Sequence, residues 1–414
     1  MSKKILATVI MVMMVLNVTA IADDKIEEKN NKEAKNVIET TANVSEEPKI
    51  DSRAAVVIDR KSKTILYGKN EDIKKAMAST TKIMTAMVVI QNTNLDNIVE
   101  VSKKAAGTGG SRLGLKTGDK ISVKDLLYGL LLRSGNDAAV ALAEYVGGNI
   151  EGFAQLMNQN AEELNLNNTH FVTPHGLDQQ EHYTTAYELA ILTDYALNNQ
   201  VFAQIVNTKT YTININGYSK TLNNTNELLG NLNGVYGVKT GFTNGAGRCL
   251  VTSTKRENMD IICVVLGADT KKDRTRDSVK LIEYIFNNYE EISLNEKIQK
   301  EFKSWNEING NRINIEKGID NKLDLEIEND NNEITYPIKK GTEEEINISI
   351  QANLKLKAPV EEHTCIGKIV VEYKGNIIKE INIINTNKVE KKRIHNYILE
   401  FVSGYDDYLE EVFK

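Results

Sequence analysis

Strand-like apolar runs stand at both ends of a long stretch whose interior is helical in pattern. "AAVVID" (54–59) and "TILYG" (64–68) flank the polar "RKSK" and read as an antiparallel hairpin. "CLVTST" (249–254) and "IICVVLG" (261–267), joined by "KRENMD", read as two more strands. Between these ends, "DLLYGLLL", "DAAVALAEYV" and "TTAYELAILTDYAL" carry helical periodicity, and a further helix is expected near 276–289. Strands at both ends with helices between predict one α/β domain built around an antiparallel sheet.

Beyond about residue 291 the texture changes. "INISIQANLKL" and "IGKIVVEYKGNIIKEINII" run short or alternate, with turn residues Lys374, Gly375 and Asn376 between strands, which predicts a small all-β domain. The first 22 residues have a basic start (Lys3, Lys4), an apolar run and an Ala20-Ile21-Ala22 cleavage pattern. They read as an export signal, the alternative being an uncleaved anchor helix. The expected segments are a signal peptide at 1–22, a disordered linker at 23–50, an α/β domain at 51–290, a β-rich domain at 291–386 and an amphipathic helix at 387–414.

At 414 residues and 41% hydrophobic composition, two or three folded domains are expected. A net charge of −6 gives no electrostatic case for nucleic acid as a partner. Cys249, Cys263 and Cys365 are odd in number and lack paired spacing, which argues against a disulfide framework or a zinc cluster. The five histidines show no metal-ligand spacing, so loop and core roles are expected for each, with no metal and no cofactor.

"AMASTTKIMTA" places Ser79 and Lys82 three residues apart among core-like apolar residues, on one face of a helix. Ser79 fits a helix cap, and it also fits a nucleophile beside its base. A free lysine titrates near ~10.4, so Lys82 becomes a base at neutral pH only if burial or a second cation lowers that value. Ser134-Gly135-Asn136 breaks two apolar helices and offers a hydroxyl to relay a proton and an amide to hold a carbonyl. Lys-Thr-Gly occurs twice. Lys116-Thr117-Gly118 reads as an exposed turn, whereas Lys239-Thr240-Gly241 follows strand residues. A strand ending there offers an ammonium and a hydroxyl to a carboxylate. Gly241 admits a ligand to the backbone, and the Phe242 N–H can face an oxyanion.

S-x-x-K, S-x-N and K-T-G in this order are the signature set of penicillin-binding proteins and β-lactamases. The match extends through "AAVVIDRKSKTILYGKNEDIKKAMASTTKIMTAMV", "DLLYGLLLRSGNDAAVALAEYVGG", "NNTHFVTPHGLDQQEHYTTAYELA" and "GVKTGFTNGAGRCLVTSTKR". The chain resembles the low-molecular-mass penicillin-binding proteins that are D-alanyl-D-alanine carboxypeptidases, over roughly residues 51 to 385. "LKAPVEEHTCIGKIVVEYKGNIIKEI" resembles their β-rich C-terminal domain.

The resemblance implies a β-lactamase/transpeptidase-like domain acting on peptidoglycan stem peptides ending in D-Ala-D-Ala. It implies Ser79 as nucleophile, Lys82 as base, Ser134 as proton relay and Asn136 as an orienting group. Lys239 and Thr240 would hold the terminal carboxylate, with the N–H groups of Ser79 and Phe242 as oxyanion hole, and β-lactams would acylate Ser79 as covalent inhibitors. Arg274 lies where the family often has an arginine near the carboxylate site, the alternative being a solvated charge at a helix start.

Glu163-Leu164-Asn165-Leu166-Asn167 fits the E-x-x-L-N pattern of class A β-lactamases, but the Phe153, Leu156, Met157, Ala161, Leu164 stripe leaves Glu163 off the buried face. A non-catalytic penicillin-binding wall protein is the other alternative, and the intact motifs argue against it. An exported enzyme of the cell envelope is the expectation. Ile394, Tyr397, Ile398, Phe401, Val402, Tyr405, Tyr408, Leu409, Val412 and Phe413 fall on one helical arc. That arc suggests peripheral contact with the outer face of the cytoplasmic membrane, or equally a protein contact, since Asp406, Asp407, Glu410 and Glu411 make the far polar face acidic.

Overall fold

The structure, a computed structural model, describes residues 32, 34–38, 46–320, 322–328 and 333–402. The chain divides into two compact units, Met1–Asn288 and Tyr289–Lys414.

In the first unit, β1 (Ala54–Asp59) and β2 (Ile65–Lys69) form the predicted hairpin. Short paired strands β3 (Ile98–Glu100) and β4 (Lys120–Ser122), then a hairpin of β5 (Thr210–Ile215) and β6 (Tyr218–Asn223) that packs Ile213 and Leu222 on the core, lie outside the main sheet. That sheet is completed by β7 (Val235–Thr243), β8 (Gly247–Arg256) and β9 (Met259–Ala268), in the order β2-β1-β9-β8-β7, antiparallel throughout. β1 pairs with β9 from Ala54↔Leu266 to Asp59↔Ile261, so the two ends of the unit close the sheet together.

Central strands here are apolar on both faces because helices cover both. Val56, Ile58, Ile262, Val264 and Leu266 join the main core. The alternating residues Val57, Cys263 and Val265 are equally buried and point to the other face. Each such valine or isoleucine contributes about 1.5–3 kcal/mol by leaving water. The helices are α1 (Lys82–Asn92), α2 (Lys103–Ala106), α3 (Val123–Leu132), α4 (Asn136–Gly147), α5 (Ile150–Glu163), α6 (Ala186–Leu197), α7 (Gln200–Val206) and α8 (Lys271–Asn288). Ser122, Asn149 and Thr185 cap α3, α5 and α6 through side-chain bonds to Asp125, Gly152 and Glu188 amides, which fixes where those helices begin. α8 starts five residues earlier than periodicity suggests. Its first turn is polar, yet Arg274 and Thr275 are buried there.

Two features revise the predicted linker. Residues 34–38 are helical with Ala34 and Val37 buried, where polar composition suggested an unstructured spacer. Alanine and lysine favour a helix, and Ala34 and Val37, three apart, share a face. Pro48 and Ile50 carbonyls accept bonds from Tyr67 (3.3 Å) and Lys69 (2.8 Å), so ordered chain begins before residue 51.

The second unit is built mainly of strands, including a four-stranded sheet formed by Leu325–Ile327, Ile346–Ala352, Cys365–Tyr373 and Asn376–Asn385. It also holds one long helix, α9 (Asn295–Asn309), which the strand pattern did not announce. Its apolar stripe is short: Ile298 and Phe302 enter the core with Ile369, Val371 and Ile383. The expected signal peptide lies outside the described residues, as does the tail stripe beyond Val402; residues 394–402 are helical, with Ile394, Tyr397, Ile398, Leu399, Phe401 and Val402 exposed.

Candidate active site

Ser79 sits in a 3-10 turn, Ala78–Thr81, that runs directly into α1. Neither the turn nor α1 has a side-chain cap, and the Ser79 hydroxyl caps nothing. Its recorded partner is Lys82, whose Nζ lies 2.9 Å from Ser79 Oγ. Ala78 takes φ +49°, the left-handed region that a residue with a Cβ avoids at a cost of about 1–2 kcal/mol. That conformation is held from behind. Thr81 Oγ1 donates to the Ala78 carbonyl at 2.8 Å and meets His182 Nε2 at 2.7 Å. His182 Nδ1 accepts the Val172 N–H at 2.9 Å, so Nε2 carries the ring proton and donates to Thr81. Gly176 closes the same corner: a Cβ there would lie 1.8 Å from the Ala78 carbonyl oxygen.

Lys82 is fully buried at 0% exposure. Burial, and then the nearby charge of Lys239, holds its pKa well below the usual lysine value. Its nitrogen also reaches Asn136 Oδ1 at 2.7 Å and the His175 carbonyl at 2.8 Å. Both are acceptors only, so they take two N–H bonds. A neutral amine then has one lone pair left, and the atom facing it is Ser79 Oγ. The same charge environment keeps His175 neutral. Burial first, and Lys82 second, push its imidazole down to about 3.

Ser134 and Asn136 arrive on the break between α3 and α4. Ser134 takes φ +60°, and its buried Oγ has no hydrogen-bond partner among the described residues. Asn136 donates to the Gly109 carbonyl at 2.7 Å, while its oxygen holds Lys82. Its amide thus positions the Lys82 amine, a contact that motif spacing did not suggest. The neighbouring Asp137 is fully buried and accepts the Leu113, Gly114 and Leu115 amides at 2.9, 2.8 and 3.1 Å, pinning the loop opposite.

Lys239, Thr240, Gly241 and Phe242 lie on β7, an edge strand of the sheet. Lys239 is 1% exposed and its nitrogen donates to the Thr240 carbonyl at 2.9 Å. Burial, and then the Arg274 charge, lower its pKa to about 7. Thr240 Oγ1 lies 2.8 Å from Thr225 Oγ1. A Cβ on Gly241 would sit 3.1 Å from the Ser79 amide nitrogen, so glycine lets β7 approach the turn. The Ser79 N–H itself has no acceptor among the described residues.

Arg274 is not a solvated charge. It is buried and ion-paired with Glu227, which also accepts from Thr275 Oγ1 at 2.6 Å. Ser79, Ser134, Thr240, Gly241, Phe242 and Arg274 all line one cleft of about 920 Å³. The other Lys-Thr-Gly is an exposed turn away from it, with Gly118 at φ +83°. Glu163 is exposed at the end of α5, near Gln159 (3.3 Å), and does not line the cleft. Among the described residues no group of acidic, histidine or cysteine side chains is arranged to hold a metal ion.

A model of the D-alanyl-D-alanine carboxypeptidase family matches residues 40–270, and one of the penicillin-binding protein 5 C-terminal domain matches 299–391. The D-alanyl-D-alanine carboxypeptidase DacF of Bacillus subtilis is 31% identical over 358 residues, covering 82% of this chain and 86% of that protein. DacC of Escherichia coli is 39% identical over 259 residues, 60% of this chain and 64% of that protein. Penicillin binding protein 5 of Haemophilus influenzae has a similar structure: TM-score 0.69 and 29% identity, over 84% of this chain and 99% of that one. On its motifs, its fold and these matches, the chain belongs to the D-alanyl-D-alanine carboxypeptidase family of serine peptidases.

Proposed function

We propose that this enzyme removes the terminal D-Ala from peptidoglycan stem peptides ending in D-Ala-D-Ala, through an acyl-enzyme on Ser79. The observation that carries this reading is the buried Lys82 amine, with two acceptor carbonyls on one side and Ser79 Oγ at 2.9 Å on the other. As Ser79 Oγ attacks the penultimate D-Ala carbonyl, its proton passes to Lys82. The N–H groups of Ser79 and Phe242 receive the developing oxyanion. Ser134, whose hydroxyl has no hydrogen-bond partner among the described residues, relays a proton to the departing D-Ala amine. Lys239 and Thr240 hold the terminal carboxylate, with Arg274 adding to the positive field beside Lys239. Water then releases the shortened peptide. β-Lactams acylate the same serine. A class A β-lactamase would need Glu163 at the cleft, and it lies elsewhere.

The two lysines make opposite demands on pH. Lys82 must be neutral, so acylation rises with pH through its lowered pKa. Lys239 must be charged, and it loses its proton as pH climbs past about 7 in the free enzyme. Because kcat/KM reports the free enzyme, D-Ala release from a stem pentapeptide is expected to follow a bell whose alkaline limb begins near pH 7. A kcat/KM that keeps climbing well above that value contradicts the assignment of Lys239.

Export to the cell envelope, on the character of residues 1–22, belongs to the same reading. So does peripheral contact with the outer face of the cytoplasmic membrane through the tail helix, supported by its exposed Ile394, Ile398 and Phe401. No described helix is long and apolar enough to cross a membrane. Full-length protein without residues 1–22 is expected to float with liposomes, and a form ending at Asn387 to stay in the soluble fraction. If neither floats, the exposed stripe is a protein contact.

A further inference from the structure

The peptide unit between Ala78 and Ser79 is held at one end and open at the other. A trans peptide is planar, so its C=O and N–H point in opposite directions and turn together. The Ala78 carbonyl faces the loop between α5 and α6: a Cβ on Gly176 would lie 1.8 Å from its oxygen. The Ser79 nitrogen faces β7, 3.1 Å from where a Cβ on Gly241 would stand, and its N–H has no acceptor among the described residues.

The hold on the carbonyl end is a directed chain of hydrogen bonds. The Val172 N–H donates to His182 Nδ1 at 2.9 Å, which leaves the ring proton on Nε2. That N–H donates to Thr81 Oγ1 at 2.7 Å, and the Thr81 hydroxyl gives its own proton to the Ala78 carbonyl at 2.8 Å. Ala78, Thr81 and His182 are all buried, so water does not compete for these bonds. Burial also pushes the His182 imidazole down to about 4, which keeps the ring neutral and Nδ1 an acceptor near pH 7. Neither Thr81 nor His182 lines the cleft, and no step of the mechanism uses them.

We propose that Thr81 and His182 are positioning residues that aim the Ser79 N–H at the oxyanion by fixing the carbonyl end of the same peptide. Ala78 sits at φ +49°, a conformation that a residue with a Cβ leaves unless it is held. Without the chain the peptide plane turns, and the N–H leaves the place where charge develops. The bond at the carbonyl oxygen also polarises the peptide and strengthens its N–H as a donor. The oxyanion site is thus set from behind the nucleophile, by a side chain 101 residues away that touches no substrate. The inference rests on the reading of Ser79 as the nucleophile.

The test follows acylation of the intact enzyme by a fluorescent penicillin, resolved into initial binding and the acylation step, with the unfolding midpoint measured alongside. Thr81→Val keeps the shape of the side chain and removes its hydroxyl. It is expected to slow the acylation step by about tenfold to a hundredfold, with initial binding within about twofold of wild type. Thr81→Ser keeps the hydroxyl and is expected to acylate within about threefold of wild type, a rescue that a packing role would not give. His182→Phe breaks the chain one bond earlier. The double variant Thr81→Val/His182→Phe is therefore expected to be no more than about twofold slower than the slower single variant. Acylation by Thr81→Val within about twofold of wild type, equal slowing by valine and serine, or single effects that multiply in the double variant would each overturn the inference and leave the role of Ser79 intact. A wild type that forms no acyl-enzyme overturns both.

Discussion

Lys82→Met is expected to slow acylation by labelled penicillin by about three to four orders of magnitude while the protein remains folded. Loss of a general base alone accounts for 10²–10⁴. Here the same change also removes the donor that holds Asn136 Oδ1 and the His175 carbonyl. Methionine fills similar volume without an amine to desolvate, which offsets part of the cost of leaving those two oxygens unpaired, about 1–3 kcal/mol each. Rate of labelling and unfolding midpoint, measured on one preparation, separate the two effects. Acylation within about tenfold of wild type would mean that another group takes the serine proton.

Lys239→Ala is the second large effect. Removing one charged partner of a desolvated carboxylate pair costs about 2–5 kcal/mol, so kcat/KM for a D-Ala-D-Ala peptide is expected to fall by a factor between tens and thousands. Lys116→Ala, in the exposed turn with the same tripeptide, is expected to stay near wild type. Reversal of the two results would transfer the carboxylate site to the wrong loop. Lys239 also leaves a mark on stability. Between about pH 7 and the ordinary lysine value near 10.4, the unfolded chain holds a proton there that the native state lacks. Stability of the wild type therefore rises with pH across that window and falls as pH is lowered through it. Denaturant titrations at several pH values should show this component in the wild type and not in Lys239→Ala.

The parts of the site that are legible in sequence are those joined by short spacing. Ser79 and Lys82 share one turn, Ser134 and Asn136 one helix break, and Lys239 to Phe242 one strand end. The supports are not local. The His175 carbonyl reaches Lys82 from 93 residues away, and His182 braces Thr81 from 101 residues away. "NNTHFVTPHGLDQQEHYTT" shows its histidines but not which turn they brace. Arg274 looked ambiguous because its partner Glu227 lies 47 residues upstream, and only the fold brings the pair into one buried site. Motif spacing suggests Asn136 as a substrate-orienting group; what it does not suggest is that the Asn136 oxygen also accepts from the Lys82 amine, a contact made because α4 begins where Lys82 emerges.

In the fold, continuous apolar runs announced β1, β8 and β9, whose residues are buried on both faces. In the β5–β6 hairpin, β5 alternates Tyr211, Ile213 and Ile215 with polar residues and turns them toward the core, a period-2 signal that a search for long apolar runs passes over, whereas β6 is mostly exposed. Helix α9 was missed for a related reason: Ile298 and Phe302 are its buried residues within a highly charged run.

The central claim is that Ser79 carries the acyl group, and peptide mass spectrometry of the enzyme after reaction with penicillin tests it most directly. The account predicts one penicilloyl adduct, on the peptide containing Ser79, absent from Ser79→Ala and formed in parallel with loss of D-Ala release. An adduct on any other residue, or D-Ala release that persists in Ser79→Ala, would contradict it.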